Sequence, residues 1–461
     1  VTSTEPTPAT PSRRGELLAL LAGLGVRTWA DVLARAASWA DRHEERRGVD
    51  ADGPGAPASV WAASKAAMAL VASPVVVPTL TVAALRTTQV NGARIAAFPD
   101  HLHALAEQRP APLPGARTLR RSSGERYLIT SDLHRCIAGR LDWPRRQRVK
   151  QLYMDVLQGY AEEGWHLIEN GDVEDFWMVG GSTWGAVYDV AYLAGAATGP
   201  GRPEARRRIL CEHLDRIVEN NAETYALLRD AFCASGRYHR TMGNHDDVFA
   251  DPCVAEHLGT HLPGVEVADT ILLSPDGVDA AEGIAGVDAV VAHGHLTDSW
   301  NGHGFSVLGR YVTWLATGLE DLPGVPRVEP LPDRSALVRL LEGRASNRLI
   351  EVDPRYGGNR RFDSLDEERL FARLDECEPA QGWPWLVYGH THFPMLRPLN
   401  AAGRPVRYAN SGCGVLDGAF SALEWDASDP DDPLRLVVWH TTDDGPRRTE
   451  LTPDGGSLRT C

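Results

Sequence analysis

The chain has 461 residues, 43% of them hydrophobic, enough for one large domain or two ordinary ones around a buried core. A formal charge of −15 argues against a general nucleic-acid binder, whose phosphate contacts need a basic surface, so no long nucleic acid is expected as a partner. Seven cysteines, odd in number and without a CxxC pair, provide no disulfide framework and fit a reducing, cytoplasmic compartment.

The segment Val1 to Arg14 is rich in Pro, Thr and Ser and does not read as a signal peptide. From Glu16 to Arg46, apolar residues from Leu17 through Trp39 recur at three-to-four spacing, which predicts a helix, and a Gly/Pro/Asp linker follows at Gly48 to Pro57. The uncharged stretch Ala66 to Leu85 is Ala- and Thr-rich and interrupted by Pro74 and Pro78. That favours a buried or interfacial segment over a membrane span and leaves peripheral membrane contact open. With a second linker at Pro110 to Pro114, residues 1–121 read as a helical N-terminal extension with a flexible start, and 122–461 as the main domain.

From Arg126 onward, short apolar runs each end in metal-competent polar residues, the pattern of strands whose carboxyl ends carry a site. Tyr127 to Thr130 leads into Ser131-Asp132-Leu133-His134, and Trp165 to Ile168 into Gly171-Asp172-Val173-Glu174-Asp175. Tyr238 to Met242 leads into Gly243-Asn244-His245-Asp246, Val287 to Ala292 into His293-Gly294-His295, and Trp385 to Tyr388 into Gly389-His390-Thr391-His392. Helices are predicted at Pro144 to Tyr160 and Pro203 to Phe232. Further strands are predicted at Val406 to Asn410, Ala422 to Trp425 and Leu434 to Trp439. The expected fold is α/β (α+β), a β-sandwich with helices outside it.

Asp132, His134, Asp172, Asn244, His293, His390 and His392 offer carboxylate, imidazole and amide ligands, a supply that suits two divalent metal ions of the Mn, Fe, Zn or Co kind. Asp132 and His134, two apart, would project to one face of an extended strand end and hold one ion together; the same geometry applies to His390 and His392. One carboxylate between the ions could bridge them at the roughly 3.5–4 Å separation of two-metal hydrolases. His295 reads as the bystander of its pair. His101, His103, His257, His261 and His440 form no spacing that demands a ligand role.

The ordered series DxH, GDxxD, GNHD, HGx and GHxH resembles the calcineurin-like metallophosphoesterases, over residues from about Arg126 to Asn410. The resemblance implies a four-layer metallophosphoesterase β-sandwich flanked by helices. It implies that Asp132, His134 and His392 bind the first metal, that Asp172 bridges, and that Asn244, His293 and His390 complete the second. His245 matches the residue that hydrogen-bonds the phosphate and protonates the leaving group, Asp175 its orienting carboxylate, and Asp246 a supporting residue behind them. The implied reaction is hydrolysis of a phosphodiester or pyrophosphate bond by hydroxide bridging the metals, with His245 as general acid.

The chain departs from the protein-phosphatase branch, which carries GDxVDRG and GNHE. Its SDLH opening, the pair Phe176-Trp177 and the long insertion at about 299–380 are more similar to the UDP-2,3-diacylglucosamine pyrophosphatase-like branch, which uses such an insertion as a lid. The fourth motif, His-Gly-His where that branch has His-Gly-Asp, departs from it, so only the bond class is carried over. In the insertion, Trp300, Phe305, Leu308, Tyr311, Val312, Trp314 and Leu315 predict a helix, with a second near Ser335 to Leu341. The two readings are a self-packed helical pair and an apolar lid on a lipid or nucleobase. Arg135 could reach a substrate phosphate, as could Asn244, or it could be a surface arginine. Cys413, in the turn Asn410-Ser411-Gly412-Cys413-Gly414, has no base to activate it and reads as structural.

The substrate class is a phosphorylated small molecule, nucleotide or lipid-linked compound, and the oligomeric state is open. A phosphomonoesterase or nucleotide phosphodiesterase of the same fold is one alternative. Another is a non-catalytic scaffold, which should have lost ligands, whereas every expected position is filled.

Overall fold

Apolar side chains on both faces of the central strands build this fold, because those strands have two faces to bury. The computed structural model describes residues 115–136, 147–177, 203–276, 286–297, 383–392, 394–399, 405–414, 418–429, 433–451 and 459–460. The N-terminal segments, the Pro110 to Pro114 linker and the insertion at 299–380 lie outside them.

In chain order the elements are β1 (Ala116–Arg121), β2 (Arg126–Thr130), α1 (Gln147–Glu162), β3 (His166–Asn170), α2 (Pro203–Asn220), α3 (Ala222–Leu227), β4 (Tyr238–Thr241) and α4 (Pro252–His261). Then come β5 (Val267–Ala268), β6 (Thr270–Pro275), β7 (Ala289–Ala292), β8 (Trp385–Tyr388), β9 (Met395–Leu399) and β10 (Pro405–Asn410). The chain closes with β11 (Ala419–Asp426), β12 (Leu434–Thr442), β13 (Gly445–Leu451) and β14 (Arg459–Thr460). They form two mixed sheets, one of six strands in the order β1-β6-β7-β8-β10-β9, the other of eight in the order β14-β13-β12-β11-β2-β3-β4-β5.

Tyr127 and Ile129 of β2, Ile168 of β3 and Leu423 and Trp425 of β11 share one core cluster with Ile271, Val291 and Val387 of the six-stranded sheet. The two sheets therefore pack face to face. The intervening residues Leu128, Leu167, Phe420 and Val437 point the other way, onto Leu152, Val156 and Leu157 of α1 and Leu214 and Ile217 of α2. A fully buried Leu, Ile or Phe contributes about 1.5–3 kcal/mol, so a one-residue register slip in β2 would exchange both cores at once.

The expected motif-bearing strands form, and at each the motif begins at or just beyond the strand end. Ala116–Arg121, ahead of the boundary expected at 122, is an edge strand pairing in parallel with β6. The helix expected over Pro203 to Phe232 breaks at Asn221 (φ −120°) into α2, α3 and a π-turn over Leu228–Phe232. Asn221 and its neighbour Asn220 donate their side-chain amides to the Cys136 carbonyl (3.3 and 2.9 Å), so the break ties this helical layer to the loop after the first motif. No helix among the described residues is long and apolar enough to cross a membrane.

Candidate metal centre

Parallel strands place their carboxyl ends together, and here β2, β3 and β4 of one sheet and β7 and β8 of the other converge on a single buried site. Asp132, His134 and His392 form one group whose ligand atoms lie within 4.8 Å of one another, and Asp172, His293 and His390 form a second. Each group draws residues from both sheets. His392 Nε2 stands 3.2 Å from Asp132 Oδ1 and 3.2 Å from His134 Nε2, and His293 Nε2 stands 3.1 Å from Asp172 Oδ2 and 3.9 Å from Asp132 Oδ1. Asn244 is buried between Gly243 and His245, which both touch Asp172, and its Oδ1 has no hydrogen-bond partner among the described residues.

The extended-strand geometry expected for the paired ligands is not what the chain adopts. Asp132, His134, Asp172, His390 and His392 have φ between 45° and 67°, and they are the only non-glycine residues with positive φ among the described ones. The left-handed region costs an L-residue about 1–2 kcal/mol, and such strain persists where the surroundings over-determine it. Asp132 and His134 still meet, but through turns after β2 ends. His390 and His392, in the same backbone region and at the same spacing, fall in different groups.

Close approach is the second device. A Cβ on Gly243 would collide with the Asp172 carboxylate and backbone nitrogen, and one on Gly389 with Ser131 and with Asp132 Oδ2 at 2.7 Å. Backbone bonds lace the motif loops together: Asp132 N–H donates to the Gly171 carbonyl (3.1 Å), His134 N–H to Asp172 (2.9 Å) and Gly389 N–H to His293 (2.9 Å). The turn at 410–414 closes the site from behind. Asn410 donates to the Gly389 carbonyl (2.7 Å), Ser411 Oγ meets Ser131 Oγ (2.6 Å), and Cys413 is fully buried in the core between the sheets.

The imidazoles are oriented for ligation. His134 Nδ1 donates to Asp175 Oδ2 (2.9 Å) and His293 Nδ1 to the Asn170 carbonyl (2.9 Å), which leaves each Nε2 lone pair facing its group. Burial opposes charge throughout, yet the site couples acids to bases. Asp172 is held well below the usual carboxylate range, and Asp132 below it, by His293 and further histidines, while Asp172 and Asp132 push His293 up to about 9. Without a cation these carboxylates draw a proton onto His293, so the donor set fits a bound cation.

His245 Nδ1 lies 3.0 Å from Asp175 Oδ2, its ring 4.7 Å from that of His134, and Trp177 stacks on its other side at 4.1 Å. Burial would raise the Asp175 carboxyl, but His245 and His134 hold it below its ordinary value. Asp246 accepts from the Gly243 (2.6 Å) and Val173 (3.0 Å) backbone N–H groups and from Arg240 (3.0 Å). His295 is buried near His293 and joins neither group.

Arg135 does not face a substrate. Its side chain is 4% exposed and forks onto Glu169 (Nη1 to Oε2, 3.1 Å), because a guanidinium this deep needs a carboxylate beside it. It belongs to a buried network the motifs did not announce. Tyr153 and Tyr238 also donate to Glu169 (2.8 and 2.5 Å), while Arg240 pairs with Glu174, onto which Tyr225 donates. A further group, Asp215, His257 and His261, gathers on the surface although the histidine spacing demanded no ligand role. The chain matches no family model and no curated protein to which it was compared.

Proposed function

We propose that this chain is a dinuclear metal-dependent phosphoesterase of the calcineurin-like metallophosphoesterase kind, hydrolysing a phosphodiester or pyrophosphate bond. The observation that carries the reading is the pair of buried Asp/His groups, each spanning both sheets, with five ligands held in left-handed backbone. In this reading the two sheets are the central layers of a four-layer sandwich.

Asp132, His134 and His392 would hold one ion, and Asp172, His293 and His390, with Asn244, the other. Two such cations, of Mn, Fe, Zn or Co, would supply Lewis acidity, generating the nucleophile from water and neutralising charge on the phosphoryl oxygens. The chain's own residues do the rest. Asp175 fixes His245 through Nδ1, which reserves Nε2 for the leaving oxygen, and Trp177 limits rotation of the ring by stacking on it. Proton delivery from His245 is general acid catalysis. Because Asp175 also receives His134 Nδ1, a metal ligand and the proton donor share one buried carboxylate. The substrates that suit the site are phosphorylated small molecules, nucleotides or lipid-linked compounds.

The test is metal content measured together with hydrolysis of bis(p-nitrophenyl) phosphate, p-nitrophenyl phosphate and a nucleotide-diphosphate sugar, for wild type, Asp172→Ala and His245→Ala. The expected result is two ions and turnover of the diester or the pyrophosphate, with metal lost in the first variant and only turnover in the second. No metal and no turnover with Mn²⁺, Zn²⁺, Fe²⁺ or Co²⁺ would overturn the proposal in favour of a scaffold.

A further inference from the structure

Helix α4 carries His257 and His261 four residues apart, hence on one face, and helix α2 packs beside it. Both imidazoles reach the same atom: His257 Nε2 and His261 Nε2 each stand 2.8 Å from Asp215 Oδ1 on α2, and the two rings lie 5.5 Å apart and perpendicular. The three side chains are 28%, 25% and 50% exposed, so an ion can enter from solvent.

The helices that carry them are fixed independently. Leu210, Leu214 and Ile217 of α2 and Val254 and Leu258 of α4 are buried in one core cluster. Arg207 of α2 donates through Nε to Asp251 Oδ2 (2.8 Å), and Asp251 caps α4 by accepting from the Cys253 backbone N–H (3.1 Å). The group therefore sits on a scaffold already held together at its other end.

We propose that Asp215, His257 and His261 form a separate surface site for one divalent ion of the zinc class. Two imidazoles and one carboxylate are the donor set of three-ligand zinc sites, with water in the fourth position, and imidazole disfavours Mg²⁺ and Ca²⁺. Tetrahedral ligands at the usual zinc distances stand about 3.3 Å apart, so the 2.8 Å contacts need to open only slightly to admit an ion. The ion would clamp α4, which starts shortly after the Gly243-Asn244-His245-Asp246 loop, onto α2. The site shares no residue with the buried centre, and the inference does not depend on the function proposed for that centre.

Untagged full-length chain is stripped with chelator, loaded with Zn²⁺ and assayed for bound zinc by mass spectrometry, with circular dichroism checking the fold. His257→Gln/His261→Gln should lose one equivalent relative to wild type, and Asp215→Ala should lose the same one if the double variant fails to fold. Asp132→Asn/Asp172→Asn, altered only in the buried centre, should retain that equivalent. Equal zinc content in wild type and the folded surface variants would overturn the site, whatever the buried centre binds.

Discussion

The molecule presents its histidines and aspartates in two settings. In the buried centre, candidate ligands arrive on turns beyond five strand ends, five of them in left-handed backbone, with Arg–Glu pairs packed behind them. In the surface group, Asp215, His257 and His261 stand on regular helices and touch only because those helices pack together. The first arrangement is costly to build and has to be held by its surroundings; the second costs the fold little. Mutations should therefore act on stability in the first region and chiefly on ion binding in the second.

The largest expected effect lies in the support of the buried centre. Arg240→Met would leave Glu174 and Asp246 as uncompensated buried charges, and breaking such a pair costs about 3–5 kcal/mol. Chemical denaturation of the metal-free chain measures it; a loss below about 1 kcal/mol would mean that the network relaxes or neutralises instead. The proposed proton donor comes next. His245→Ala should lower kcat by roughly 10²–10⁴-fold with bound metal unchanged, and its loss should be smallest for substrates whose leaving group needs no proton. An equal loss for all leaving groups would make His245 a binding residue rather than the acid.

The third effect is one of pH. His293 titrates at about 9 in the folded metal-free chain against an ordinary value near 6.5. The stability it contributes is thus complete below pH 6.5 and is lost as pH rises through 9, an effect of up to roughly 3 kcal/mol. Asp132 and Asp172, depressed below 3.8, contribute stability above that pH and lose it on acidification. Thermal denaturation of the metal-free chain should decline from pH 6.5 to 9, and saturating metal should abolish that decline by replacing the proton. A metal-free Tm that is flat over this range would break the coupling.

The two regions also differ in how legible they are. Asp132, Asp172, Asn244, His293, His390 and His392 could be picked out because each follows an apolar run and because glycines mark where backbones must approach. Their partition is carried by the motif order and its family resemblance, which separate His390 from His392; strand alternation alone would have kept the two together. Strand β6 and helix α4 were missed, and Arg135 was given an outward role, because sequence spacing does not reveal that Glu169, on the neighbouring strand, lies beside it. The surface group was illegible for the same reason. His257 and His261 share a helix face visibly enough, but Asp215 reaches them across 42 and 46 positions of chain.

The smallest effect therefore tests the comparison most sharply. Burial would raise the Asp215 carboxyl, but the hydrogen bonds and charges of His257 and His261 together outweigh it and hold Asp215 below its ordinary value, and at half exposure solvent screens most of that interaction. Asp215→Ala should change the stability of the metal-free chain by no more than about 1 kcal/mol. Zn²⁺ should then raise the Tm of the wild type above that of the variant, since an ion bound only by the folded state adds stability by mass action. Carrying out both scans in the Asp132→Asn/Asp172→Asn background removes the buried centre's share of the shift. A large destabilisation of the metal-free Asp215→Ala chain would instead make the surface group a structural contact, no different in kind from the Arg–Glu pairs beneath the buried centre.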